Sequence, residues 1–98
     1  MFVLVRPEER QMKYPVAIEA GSDTTAWGVV VPDLPGCYSA GDGLADACEN
    51  AKQAIALWVN SAKEDGQPIP APKPLSEHQA NPEFAGWVWE MVELDPSI

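Results

Sequence analysis

The chain has 98 residues, 46% of them apolar, and its 15 acidic and 6 basic residues give a formal net charge of −9. This length fits one domain with a single hydrophobic core. The acidic balance argues against nucleic-acid binding by this domain, because phosphate contacts need clustered lysine and arginine. No apolar run approaches the roughly 18 residues of a membrane-spanning helix. The first residues of the chain do not resemble a secretory signal. We therefore expect a cytoplasmic protein.

Two apolar runs, rich in β-branched and aromatic residues, come first among the predicted elements. They cover residues 14–20 and 26–31, and turn-prone residues at 21–23 lie between them. This pattern predicts a β-hairpin. Pro32 ends the second run, and residues 37–40 are predicted to form a third, short strand.

A long helical pattern follows the third strand. Its apolar residues recur at steps of three and four, which predicts one helix with Asp42 as its N-cap and an end near Asp65, where Gly66 stops it. Such a helix spans about 22 residues, or roughly 33 Å. The apolar stripe consists of Leu44, Ala47, Cys48, Ala51, Ile55, Trp58 and Val59.

The remainder of the chain is predicted to cross the surface and return to the sheet. Residues 66–74 contain four prolines in nine positions, which favours an extended path. Residues 77–83 read as loop or one short turn, and residues 86–94 as the last strand. The order β-β-β-α-β predicts an α+β fold, in which one long helix packs on a four-stranded mixed sheet and the crossover is right-handed.

The domain is predicted to cover residues 12–95. Residues 1–11 are interpreted as an N-terminal extension, either an added edge strand or an upstream start, because the sequence from Met12 would itself make a normal beginning. Residues 96–98 are interpreted as a tail.

Neither cysteine belongs to a recognisable catalytic or metal-binding motif. Cys37 and Cys48 are predicted to be free thiols, since two cysteines make neither a disulfide framework nor a zinc site. A nucleophilic Cys37 would need a neighbouring base. The single histidine, His78, lies near the proline-rich segment, where we expect an exposed loop side chain.

The stretch "PDLPGCYSAGD", residues 32–42, joins the predicted sheet to the helix. Its glycines match neither the dinucleotide-binding nor the P-loop pattern, and an aspartate at a helix start would repel a bound anion. We interpret it as an architectural turn rather than a catalytic loop or phosphate cradle. The residues assigned to this turn are Pro32, Asp33, Pro35, Gly36, Cys37 and Gly41.

The polar face of the predicted helix carries an acidic line with steps of four, three and four residues. Two interpretations stay open: a solvated surface, which the spacing alone favours, or a docking edge for a basic protein. The residues of the line are Asp42, Asp46, Glu49 and Gln53.

Other carboxylates raise the alternative of a two-metal nuclease, which needs acidic groups that converge on metals about 4 Å apart. These carboxylates lack motif spacing, and ordinary surface positions are the preferred interpretation. No metal or cofactor is therefore expected. The residues are Glu19, Glu49, Glu90, Glu93 and Asp95.

Four stretches together resemble the HicB antitoxin family: "MKYPVAIEAG", "WGVVVPDLPGCYSAGDGLADACENAKQAI", "EDGQPIPAPKPL" and "WVWEMVELD". The resemblance runs from about Met12 to Asp95, and "PDLPGCYSAGD" followed by "ENAKQAI" is its most specific part. It implies a partial RNase H-like fold and a non-enzymatic antitoxin. The implied partner is HicA, a small basic toxin that cleaves messenger RNA with a catalytic histidine and is neutralised when its active surface is masked.

The resemblance also implies a homo-oligomer, a dimer or tetramer. Typical members continue past the last strand into a DNA-binding module, whereas this sequence stops at Ile98, where that module would begin. We therefore expect no direct nucleic-acid binding by these residues. The −9 charge would speed encounter with the toxin, and the acidic line is the expected contact.

Two alternatives remain beside the antitoxin hypothesis. One is a divergent metal-dependent RNase H-like nuclease that uses Glu19, Glu49 and either Glu90 or Asp95, although a fold alone does not establish activity. The other is a stand-alone oligomeric scaffold, in which an edge strand at residues 2–6 or 37–40 pairs across a dimer.

Overall fold

The computed structural model describes residues 12–94, so the predicted extension at residues 1–11 and the tail at residues 96–98 lie outside the described residues. The predicted strands and long helix are present, with bounds that differ by one or two residues. The strands are β1 (Lys13–Glu19), β2 (Trp27–Val30), β3 (Tyr38–Gly41) and β4 (Val88–Glu93), and the helices are α1 (Leu44–Glu64), α2 (Leu75–Gln79) and a 3-10 turn (Pro82–Phe84).

The four strands form one antiparallel sheet in the order β3–β2–β1–β4. The predicted α+β class is confirmed, but the expected mixed sheet is wrong. The chain leaves β3 at one edge and returns at the other edge, where β4 pairs antiparallel with β1. The segment between Glu64 and Val88 is long enough to recross the sheet before β4 begins. The handedness rule for parallel crossovers therefore does not apply.

The hydrophobic core lies between α1 and one face of the sheet. Alternate residues of β1 point toward α1, and the small side chains Ala47 and Ala51 let the helix approach the strands closely. At Gly41 a Cβ atom would overlap the backbone of Ala47, so this position requires glycine. The core cluster comprises Tyr14, Val16, Ile18, Val29, Val31, Leu34, Cys37, Ala47, Ala51, Ile55, Val59 and Val92.

The opposite, outer face of the sheet is partly covered by α2 and the 3-10 turn. Pro15 and Ala17 of β1 point to this side and are nevertheless fully buried. Trp89 is the cross-strand partner of Ala17 and lies under this cover. Farther along the same face, Met91 and Tyr38 are exposed.

The start of α1 differs from the prediction by one residue. Gly43 is the N-cap and makes no side-chain cap. The backbone N–H of Asp42, the predicted N-cap, instead donates to Oδ2 of Asp46 at 3.1 Å. The Asp46 carboxylate thus reaches back over the first turn, where its charge also complements the helix dipole. At the other end, Gly66 adopts φ +68, the left-handed conformation that stops a helix.

The outer edge of β3 is an edge of the described sheet. The Val31 N–H donates to the Cys37 carbonyl at 3.1 Å, and hydrogen bonding alternates along an antiparallel strand. The backbone groups of Tyr38 and Ala40 therefore point away from β2. Asn50 of α1 reaches this edge and donates from Nδ2 to the Ala40 carbonyl at 2.7 Å.

In the part of the chain from residue 12 to residue 94, no helix has the length and hydropathy that crossing a membrane requires.

Candidate functional site

The exposed side of α1 gathers three of the four residues of the predicted acidic line. Asp46, Glu49 and Gln53 are all exposed and lie opposite the buried stripe, because steps of three and four residues keep to one side of a helix. Asp42 is also exposed, but it precedes the helix and joins the line through its hydrogen bond to Asp46. Lys52, also exposed, borders this side.

Leu57 extends the same side by one turn and was missed by the sequence reasoning. Its side chain is 72% exposed, although leucine usually favours burial. The signal was available, because Leu57 follows the buried Ile55 by two residues and so falls outside the apolar stripe. We call the side formed by Asp46, Glu49, Gln53 and Leu57 the α1 outer face.

Backbone hydrogen bonds close the turn between β2 and β3. The Leu34 N–H donates to the Val31 carbonyl at 3.1 Å, and the Cys37 N–H donates to the Leu34 carbonyl at 3.0 Å. Gly36 adopts φ +79, a conformation that favours glycine. At the helix side of the turn, Trp58 donates from Nε1 to the Pro35 carbonyl at 2.9 Å. The turn is therefore held at both sides.

The two thiols lie in surroundings that disfavour reactivity. Burial raises the pKa of the Cys37 thiol, and burial together with the charge of Glu90 raises the pKa of Cys48. A nucleophilic cysteine requires the opposite shift, because the thiolate is the reactive form.

His78 is not the exposed loop residue that the sequence suggested. It lies in α2 with its side chain 12% exposed, and its Nε2 is 3.0 Å from Oδ2 of Asp33, whose side chain is 2% exposed. The other carboxylate oxygen, Oδ1, accepts the backbone N–H of Lys73 at 3.1 Å. Asp33 thus ties the segment after α1 to the β2–β3 turn. Sequence reasoning missed this contact because its partners are about 40 residues apart.

Aromatic contacts hold α2 and the 3-10 turn against the outer face of the sheet. The His78 ring stacks on Trp89, with centroids 6.3 Å apart and an interplanar angle of 14°. Phe84 meets Trp87 and Trp89 edge-to-face at 5.2 and 5.5 Å.

Tyr14 anchors the proline-rich segment from the core side. Its hydroxyl donates to the Pro70 carbonyl at 2.7 Å. Burial, with a contribution from the Asp33 charge, raises the pKa of Tyr14 to about 12.

A groove of about 370 Å³ opens between the β2–β3 turn and the 3-10 turn. Tyr38, 68% exposed, lines it from β3. Asn81 and Glu83 line it from the 3-10 turn, where Oδ1 of Asn81 accepts the Glu83 N–H at 3.0 Å. We call it the Tyr38 groove, and its lining includes Val30, Tyr38, His78, Asn81, Glu83 and Phe84.

The carboxylates considered for a two-metal nuclease do not converge. Among residues 12–94, no group of three or more His, Cys, Asp or Glu side chains is placed to hold a metal ion. Glu19 lies exposed at the end of β1 and Glu49 on the α1 outer face, whereas Glu90 lies near Cys48. Asp95 falls outside the described residues. This geometry lends the nuclease alternative no support.

Comparison with protein families and curated proteins identifies relatives over most of the chain. The family described as HicB_like antitoxin of bacterial toxin-antitoxin system matches residues 14–98. The chain is 34% identical over 68 residues to Antitoxin HicB 2 of Photorhabdus laumondii, which covers 69% of this chain and 48% of the relative. It is 38% identical over 84 residues to an uncharacterized 14.9 kDa protein of Haemophilus phage HP1, which covers 86% of this chain and 62% of the relative.

Solved structures show the same fold. The antitoxin HicB of Burkholderia pseudomallei superposes with a TM-score of 0.78 at 37% identity, covering 88% of this chain and 65% of that one. The N-terminal domain of Burkholderia pseudomallei antitoxin HicB gives 0.75 at 35% identity, covering 86% and 99%. A chain of the HicA3 and HicB3 toxin-antitoxin complex gives 0.73 at 31% identity, covering 87% and 100%.

These matches agree with the four stretches on which the family resemblance rested, and they confirm that resemblance. The chain spans about half to two thirds of the length of the curated relatives described above. The chain belongs to the family of HicB-like antitoxins of bacterial toxin–antitoxin systems.

Proposed function

We propose that this chain acts in the cytoplasm as an antitoxin, without enzymatic activity of its own. Its partner in this proposal is a small basic ribonuclease toxin of the HicA type, which it neutralises by covering the toxin's RNA-binding and active surface. The observation that carries the proposal is the superposition on a full chain of the HicA3 and HicB3 toxin-antitoxin complex. The proposal also includes self-association into a dimer or tetramer.

We assign toxin contact to the α1 outer face together with Asp42. The acidic side chains there are exposed and suit a cationic RNA-binding surface. Leu57 adds an exposed apolar group beside the charges, and interfaces commonly combine an apolar centre with a polar surround. Gln53, between Glu49 and Leu57, supplies both a hydrogen-bond donor and an acceptor.

The charge of the whole chain supports a basic partner. A net charge of −9 attracts a basic protein over a distance of about one Debye length, roughly 8 Å at physiological salt. Such a field raises the association rate and makes it dependent on salt. Neutralisation by coverage requires no reacting group in the antitoxin, only a surface that excludes RNA from the toxin.

Isothermal titration calorimetry with the HicA-type toxin that the proposal assigns as partner tests the proposed function. We expect submicromolar affinity at physiological salt. Binding weaker than micromolar would refute the proposed function. Glu49→Lys on the α1 outer face is expected to weaken binding by about tenfold, because a charge reversal converts attraction into repulsion.

Glu93→Lys is the matched control for that variant. It makes the same change of charge at an exposed residue, but at the end of β4, the strand at the opposite edge of the sheet from β3. Equal weakening by both variants would mean that only the overall charge matters, and would contradict the assignment of contact to α1. Self-association is tested separately by sedimentation, where a single species of monomer mass would contradict it.

A further inference from the structure

We propose that the Tyr38 groove receives an arginine side chain of the bound toxin, as a second contact beside the α1 outer face. This inference rests on the proposed function and extends it, because it names what the partner must present. α1 has 21 residues and is therefore roughly 31 Å long and about 10 Å wide. Its exposed side offers roughly 300 Å², well below the about 800 Å² per partner of a stable interface. Further surface must take part.

The groove is built for a long side chain with a planar cation. Tyr38 is the cross-strand partner of Val30, so both side chains lie on the outer face of the sheet. The Tyr38 ring is 68% exposed and presents an aromatic face on which a guanidinium group stacks. Val30 and Phe84 offer apolar surface to the methylene groups that precede the guanidinium.

The charge of the groove selects a cation. Glu83 is exposed on the wall opposite the β2–β3 turn, and its carboxylate suits the paired N–H groups of arginine. None of the described residues that line the groove is lysine or arginine, and its one histidine, His78, has its Nε2 directed at Asp33. Asp33, the neighbouring acid, already faces His78 and the Lys73 N–H, which leaves Glu83 as the carboxylate offered to a partner.

Both walls of the groove are fixed before any partner binds. Backbone hydrogen bonds close the β2–β3 turn, and the Asn81 side chain caps the 3-10 turn. The Asp33–His78 contact joins the two walls. A groove that is already ordered loses little conformational entropy on binding.

The groove and the α1 outer face are connected along the edge of β3. α1 begins three residues after β3 ends, and Asn50 of α1 bonds directly to Ala40 of β3. A partner that lies against α1 and extends past this edge reaches Tyr38. The two surfaces lie on opposite sides of the sheet and meet at this edge, so a single basic partner must curve around β3 to contact both.

Calorimetry with the toxin and four variants tests the inference. Tyr38→Ala and Glu83→Gln are each expected to weaken toxin binding by about three- to tenfold. The controls are Met91→Ala, another exposed apolar residue on the outer face of the sheet, and Glu77→Gln, another exposed carboxylate nearby. Both controls should bind as the wild type does. If Tyr38→Ala and Glu83→Gln also bind as the wild type while Glu49→Lys does not, the groove inference is overturned and the proposed function stands.

A second measurement examines the groove without the toxin. The ¹⁵N-labelled chain is titrated at millimolar concentration with the capped peptide acetyl-Gly-Arg-Gly-amide, and with acetyl-Gly-Gln-Gly-amide as the matched control. Arginine-dependent shifts of the Tyr38, Asn81 and Glu83 amides are expected, and they should disappear in Tyr38→Ala. If the wild-type chain binds no toxin, the proposed function is refuted. The peptide titration then tests the groove inference by itself. Amide shifts of equal size with both peptides would overturn that inference.

Discussion

Asp33 is the residue whose removal should most clearly separate a structural contact from ordinary surface charge. It is a nearly buried carboxylate that meets His78 with one oxygen and the Lys73 N–H with the other. Asp33→Ala removes both contacts. The substitution releases the segment after α1 from the β2–β3 turn. It leaves the Lys73 N–H and His78 Nε2 without their common partner.

The expected cost follows from these two losses. The Lys73 N–H is partly buried, so its loss of an acceptor costs at most the about 1–3 kcal/mol of a fully buried donor. Removal of one member of a buried ion pair costs about 3–5 kcal/mol, and this figure is an upper limit for a contact with histidine, which carries no permanent charge. We expect Asp33→Ala to lower the free energy of unfolding by about 3 kcal/mol. For a domain of this size, that corresponds to a fall in Tm of roughly 12–24 °C.

Asp33→Asn provides the matched comparison. Its amide oxygen can still accept the Lys73 N–H, while the charge facing His78 is lost. We therefore expect a loss of only about 1 kcal/mol. The difference between the two variants isolates the hydrogen bond to the backbone from the contact with histidine.

Urea unfolding followed by tryptophan fluorescence measures these changes, since Trp89 stacks on His78 and reports directly on this region. The dependence of the unfolding free energy on urea should be unchanged, so that midpoints report stability. In a double-mutant cycle, the total loss in the Asp33→Ala/His78→Ala double variant should be smaller than the sum of the two single losses. A loss below about 0.5 kcal/mol for Asp33→Ala, the range of ordinary surface substitutions, would refute the reasoning.

Three further predictions follow from the packing. Gly41→Ala should destabilise the fold by about 1–3 kcal/mol, because its Cβ overlaps the start of α1, whereas Gly28→Ala, with only an ordinary contact at 4.0 Å, should change urea midpoints little. The pKa of Tyr14 is raised to about 12 from an unfolded value of about 10. The stabilisation that the protonated Tyr14 hydroxyl gives the folded state is therefore complete below pH 10 and lost between pH 10 and 12. Urea titrations should show this fall in the wild type and not in Tyr14→Phe. Iodoacetamide should modify Cys48 before the buried Cys37 in the native protein; mass spectrometry that finds Cys37 modified first would contradict this order.

The elements that the sequence predicted well are those determined by local patterns. The stripe that includes Ala47, Ala51 and Ile55 needs only helical periodicity to be recognised, and all three are buried. Gly66 stops α1 as predicted, because a left-handed residue after a helix is a property of a few neighbouring residues. The strands were located by the same kind of local signal.

The predictions that failed depend on contacts between distant parts of the chain. The direction of β4 is set by where the segment after α1 recrosses the sheet, which element order does not determine. His78 is partly buried because Asp33 lies beneath it, and no pattern around His78 contains that information. The N-cap was placed at Asp42 by residue preference, but the Asp46 side chain bonds that backbone N–H and the helix begins after Gly43.

The two candidate surfaces also differ in whether local sequence is enough to predict them. Asp46, Glu49 and Gln53 could be grouped from spacing alone, because all three lie on one helix. The Tyr38 groove could not, because its two walls come from residues that are more than 40 positions apart. Leu57 lies between these cases: its spacing marks it as outside the stripe, yet only its exposure in the folded chain shows that nothing among the described residues covers it.

The hydrogen bond from Asn50 to Ala40 has a consequence for how the protein behaves at high concentration. An edge strand with unoccupied backbone groups is a template onto which further strands can add, and this is a common route to aggregation. Asn50 occupies an outward-pointing carbonyl of β3 with a side chain from the same molecule. Strand-by-strand growth of the sheet at β3 is thereby discouraged.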